Sequence, residues 1–118
     1  MRVLLVSDAS WVRNQVRAAL SGSAEIVEVS DPYQVETAAP GTDLSIVDMQ
    51  VGSMGGMAIT RALKAITPTT GPIVLLLDRQ ADAFIAKRSG ADGWLAKPFS
   101  AQALRRTLAE VALLGATG

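Results

Sequence analysis

Short runs of apolar residues alternate along this chain with segments whose apolar positions recur at helical spacing. Residues 3–6 are continuously apolar and end at Ser7-Asp8. Behind them Val12, Val16, Ala19 and Leu20 share one helical face, with Ser10 as the expected N-cap and a stop near Gly22. Glu25–Val29 sets Ile26, Val27 and Val29 among acids, the pattern of an edge strand. Residues 33–39 predict a short helix ended by Pro40-Gly41. The run 44–47 is mostly apolar and ends at Asp48. A Gly-rich turn follows, in which Gly56 is expected at positive φ. Met57, Ile59, Ala62, Leu63 and Ile66 then predict a helix stopped by Pro68. Ile73–Leu77 is fully apolar and β-capable. Residues 81–89 predict a helix carrying Phe84 and Ile85 and ended by Gly90, and Gly93–Ala96 reads as a short strand. Ser100 caps a last helix with Leu104, Leu108 and Val111 inward and Arg105 and Arg106 outward.

Strand and helix alternate five times. Apolar strands separated by helices imply an α/β fold, a five-stranded parallel sheet with helices on both faces and right-handed crossovers. A chain of 118 residues suits one domain, expected over 1–114 with a frayed tail at 115–118. Hydrophobic residues make up 49% and charged residues 19%, a globular composition. Cysteine and histidine are both absent. That excludes Cys- or His-ligated zinc, cysteine nucleophiles, Ser-His-Asp triads and disulfide frameworks. No apolar run approaches the ~20 residues that span a bilayer, and the N-terminal run is too short for a secretory leader. A cytoplasmic location is therefore expected, without a membrane role. Net charge is zero, yet residues 1–59 carry three bases against seven acids while 60–118 carry eight bases against four. No basic stripe interleaved with aromatics is present, so no nucleic-acid partner is expected.

In open parallel sheets, functional groups gather beyond the carboxyl ends of the strands. Asp8 follows the first strand, Asp48 ends the third and Lys97 follows the fifth. One such acid is commonly a helix cap. Two carboxylates and a lysine at one sheet edge form a hard-oxygen site suited to Mg²⁺, with a cation for an anionic oxygen. The glycines between Gly52 and Gly56 could cradle a phosphate, but they lack the Walker spacing and its lysine.

These residues carry a resemblance that covers essentially the whole chain. Val3-Leu4-Leu5-Val6-Ser7-Asp8, Leu44-Ser45-Ile46-Val47-Asp48 with Gly56 eight residues on, residues 72–77, and Gly90 to Phe99 with its Lys97-Pro98-Phe99 turn resemble, in order, four segments of the receiver domain of bacterial two-component response regulators. The resemblance implies a flavodoxin-like (βα)5 fold with strand order 2-1-3-4-5. It makes Asp48 the phosphoacceptor. It makes Asp8, Asp48 and the backbone carbonyl of Gln50 the Mg²⁺ ligands, and Lys97 the partner of the phosphoryl oxygens. It also implies a cis Lys97-Pro98 bond. Implied partners are a histidine kinase or phosphotransfer protein, and a downstream protein on the face of the fourth helix, fifth strand and fifth helix. Trp94, Lys87, Arg88, Arg105 and Arg106 lie on those elements, and a monomer or weak homodimer is expected.

Departures from the family pattern change these expectations. Ser7 stands where receivers carry a first acid, and Leu77 where they carry a switch Thr or Ser. Gly52 replaces a proline, and Gly55 stands where an acid is common. With only Asp8, Asp48 and Lys97, Mg²⁺ binding should be weak. Leu77 lacks a hydroxyl donor, so phosphorylation should shift the domain weakly. The favoured function is a stand-alone receiver that accepts a phosphoryl group on Asp48 and signals through protein contacts, not an enzyme beyond self-catalysed phosphotransfer and dephosphorylation. The alternative is a phosphorylation-independent pseudo-receiver that acts as a binding module. A flavodoxin-like enzyme or nucleotide binder is a distant third.

Overall fold

The computed structural model describes residues 1–66 and 71–117. Five parallel strands form one sheet: β1 (Arg2–Val6), β2 (Glu25–Val29), β3 (Leu44–Asp48), β4 (Ile73–Leu77) and β5 (Gly93–Ala96). Their spatial order is β2-β1-β3-β4-β5, as expected. The register aligns Val6 with Val29 and Val47, and Leu77 with Ala96, so the residues after these strands emerge along one edge.

The helices are α1 (Ser10–Leu20), α2 (Val35–Ala38), α3 (Gly56–Ile66), α4 (Ala83–Ser89) and α5 (Ala101–Thr117). Strand side chains alternate between faces with a period of two. Val3, Leu5, Leu44, Ile46, Val74 and Leu76 pack with Val12, Val16, Leu104 and Leu108 of α1 and α5. Leu4, Val6, Val47, Ile73, Leu75 and Leu77 pack with Val35, Ile59, Leu63 and Ala86 of α2, α3 and α4. Both faces of the central strands β1, β3 and β4 are thus buried, which is why β1 and β4 read as unbroken apolar runs, whereas β2 at the edge keeps its acids exposed. Among the described residues, no helix is long and apolar enough to cross a membrane.

Several local expectations are corrected. Ser10 is the first helical residue of α1 rather than its cap. Ala9 holds the cap position in extended conformation, with no side-chain cap hydrogen bond. The Ser100 cap does form, its Oγ accepting from Ala103 N at 3.0 Å. Phe84 of α4 is 62% exposed, because Ala86 and Ser89 take the inward positions of this short helix. Helix α5 runs through Thr117, into the segment expected as a tail, and Gly118 lies outside the described residues, as does Pro68.

The Gly-rich turn is more ordered than its composition suggests. Gln50–Val51 and Met54–Gly55 pair as a small antiparallel ribbon around Gly52, whose φ is +58°. Gly56 is not at positive φ, contrary to expectation. Glycine is required there because a Cβ would lie 2.6 Å from the backbone oxygen of Asp48 and 2.9 Å from Leu75 Cδ2. The start of α3 is pressed against the end of β3, and the Gly56 N–H donates to the Met49 carbonyl at 2.7 Å. Gly56→Ala should therefore lower stability by about 1–3 kcal/mol in urea unfolding, the usual cost of overpacking. An unchanged midpoint would refute this close approach.

Candidate functional site

Polar side chains from four strand ends meet at the carboxyl edge of the sheet. Asp48, the last residue of β3, is at the centre and only 2% exposed. A buried carboxylate is costly unless its oxygens find donors and its charge a partner. Asp48 Oδ2 accepts a hydrogen bond from Ser7 Oγ at 2.9 Å. Asp48 Oδ1 pairs with the Lys97 ammonium. Ser7 is itself fully buried, and its hydroxyl also accepts from Ala9 N–H at 3.2 Å. Position 7 thus gives Asp48 a neutral donor where an acid would have added a second negative charge.

Lys97 follows β5, and the Lys97-Pro98 bond is cis. The ammonium reaches back over the sheet edge to Asp48 and also lies 2.8 Å from Asp78 Oδ1. Burial opposes its charge, but the hydrogen bonds to Asp48 and Asp78 outweigh that and raise its pKa above the ordinary lysine value. Asp78 is the member that sequence reasoning missed. Its signal was present: it directly follows an apolar strand, as Asp8 nearly does and as Asp48 ends one.

Asp8 lies on the exposed rim. Its Oδ2 accepts from the Gly52 N–H at 2.8 Å, which ties the end of β1 to the ribbon beyond β3. The Gln50 side chain is exposed, its amide donating to the Gly52 carbonyl at 3.0 Å. Two carboxylates and a backbone carbonyl are hard oxygen donors, and each carboxylate oxygen keeps a lone pair after one hydrogen bond. The donor set therefore suits Mg²⁺, though among the described residues no three acids gather at one metal position.

The other singled-out residues lie apart from this cluster. Leu77 is fully buried against the α2–α4 layer and offers no polar atom. Trp94 is half-buried on that same side of β5. Lys87, Arg88 and Arg106 are exposed. Arg105 is exposed too, but its guanidinium donates to the Ala19 carbonyl at 3.2 Å, at the end of α1. It therefore leans toward α1 rather than α4. Trp11, 48% exposed, packs on Phe99 with ring centroids 6.1 Å apart, and Gln15 Nε2 donates to the Phe99 carbonyl at 3.0 Å. These contacts fasten α1 to the turn that carries Lys97.

Comparison with known proteins agrees with this architecture. The family model for the response regulator receiver domain matches residues 3–109. An uncharacterized response regulatory protein of Mycobacterium tuberculosis is 30% identical over 92% of this chain and 88% of its own length. The response regulator protein PmrA of Pseudomonas aeruginosa is 34% identical over 89% of this chain, which spans 49% of that protein. Among solved structures, the chemotaxis protein CheY4 of Vibrio cholerae superposes with a TM-score of 0.82 at 28% identity, covering 93% of this chain and 97% of that one. By sequence match and by fold, the chain belongs to the response regulator receiver domain family, whose members are signalling modules of two-component systems.

Proposed function

We propose that Asp48 accepts a phosphoryl group from a histidine kinase or phosphotransfer protein and that the domain signals through protein contacts. The observation that carries this reading is the buried Asp48 carboxylate held between the Ser7 hydroxyl and the Lys97 ammonium. Phosphoryl transfer asks mainly for positioning and charge neutralisation. One Asp48 oxygen forms the new P–O bond as the P–N bond of the donor phosphohistidine breaks, its electron pair staying on the ring nitrogen. Ser7 and Lys97 orient the carboxylate, and Lys97 then pairs with the phosphoryl oxygens. Mg²⁺, held by Asp8, Asp48 and the Gln50 carbonyl, would supply the remaining neutralisation. The exposed Lys87, Arg88 and Arg106, together with half-buried Trp94, support a partner surface on α4, β5 and α5.

A second reading, a binding module that works without phosphate, is favoured by Ser7 and by Leu77, which is buried and has no donor. Incubation with acetyl phosphate and Mg²⁺, followed by intact-mass measurement, separates the two. The first reading expects one added phosphoryl group, absent from Asp48→Asn. The second expects no adduct.

Two further outcomes follow from the departures at positions 7 and 77. Ser7→Asp should tighten Mg²⁺ binding roughly tenfold by adding a carboxylate beside Asp8, as titration calorimetry would show. Equal affinity would mean that position 7 does not limit the metal. Beryllofluoride, a phosphoryl mimic, should shift amide signals near 49–56 and at Asp78 and Lys97 themselves, and leave the rest of 78–99 nearly unmoved, since Leu77 forgoes a charge-assisted hydrogen bond of about 1.5–3 kcal/mol. Large shifts over the rest of 78–99 would show that switching proceeds without that hydroxyl.

A further inference from the structure

Asp78 is a charged side chain at the site to which phosphate acceptance assigns no task. Its carboxylate is 58% exposed, whereas that of Asp48 is 3% exposed, and both pair with the same ammonium. The Lys97 side chain is 14% exposed and is held between them. An ammonium has three donors, so the unmodified protein can satisfy both acids at once. A phosphoryl group on Asp48 changes the balance. Its anionic oxygens claim the same donors, and they face Asp78 across a single positive charge. Like charges placed so close disfavour one another.

We infer that Asp78 is a positioning residue that holds Lys97 in the unmodified protein and opposes a phosphoryl group on Asp48. The inference rests on the proposed role of Asp48. It differs from an ordinary surface ion pair because its lysine is only 14% exposed and also pairs with the buried Asp48, and because the acid lies beside the group that would receive new negative charge. Neutralising position 78 frees the ammonium and removes the repulsion. The phosphorylated state gains from both changes.

The test is a titration of the full chain with beryllofluoride at saturating Mg²⁺, read by amide shifts near 49–56. Asp78→Asn should bind roughly three- to fivefold tighter than the wild type, the range expected of an exposed charge. Asp78→Ala should show the same gain, and Asp78→Glu, which keeps the charge, should stay near the wild type. The gain should shrink at high salt, where an exposed carboxylate is screened, whereas a purely structural effect would persist. Asp48→Asn should not bind. Wild-type binding with Asp78→Asn equal or weaker would overturn this inference and leave the phosphoacceptor role standing. Absence of binding in both the wild type and Asp78→Asn would overturn the two together.

Discussion

A carboxylate with almost no access to water has to find its solvation inside the protein. For Asp48 that solvation is the Lys97 ammonium on one oxygen and the Ser7 hydroxyl on the other. Removing one partner of a buried ion pair typically costs about 3–5 kcal/mol, because the remaining charge is left uncompensated. The site therefore cannot be assembled piecemeal. β1, β3 and β5 must end at the same level, and they do so because the parallel register places Val6 beside Val47 and Leu77 beside Ala96. The apolar runs that build the sheet are also what brings three distant side chains to one point.

The surroundings reinforce that level. Gly56 lets α3 start directly against β3, where any Cβ would strike the Asp48 backbone oxygen. Asp8 grips the ribbon at Gly52, and α1 grips the turn after Lys97 through Gln15 and Trp11. The acidic charge of the site lies on both sides of Asp48. Position 7 gives a neutral donor, and a carboxylate appears instead at position 78, on the lysine side of Asp48. Electrostatically, this moves negative charge away from Asp8 and toward the place where the phosphoryl oxygens would sit.

Much of this was legible in the sequence. Unbroken apolar strands signal a sheet buried on both faces, and acids at their ends signal the functional edge. The parts that were not legible depend on three-dimensional distances. Gly56 reads as a turn glycine until the approach of β3 is seen. The segment with Phe84 reads as a helix, but which face Phe84 takes does not; α4 is only seven residues long and its inward positions go to Ala86 and Ser89. Arg105 reads as part of an outward basic face, yet it reaches the carbonyl end of α1. Asp78 obeys the same strand-end rule as Asp8, but only the fold shows that Lys97 bends toward it. The resemblance to receivers directed attention to positions where the family keeps its chemistry, and position 78 is not one of them.

The central claim is that one particular acid among several at the sheet edge carries the transferred group. Treating the acetyl-phosphate product with borohydride reduces an acyl phosphate on aspartate to homoserine, and tandem mass spectrometry of the digest locates the converted residue. Homoserine at position 48 alone is the result this account predicts. Homoserine at position 8 or 78, or none at all under conditions that fully occupy the metal site, would contradict it.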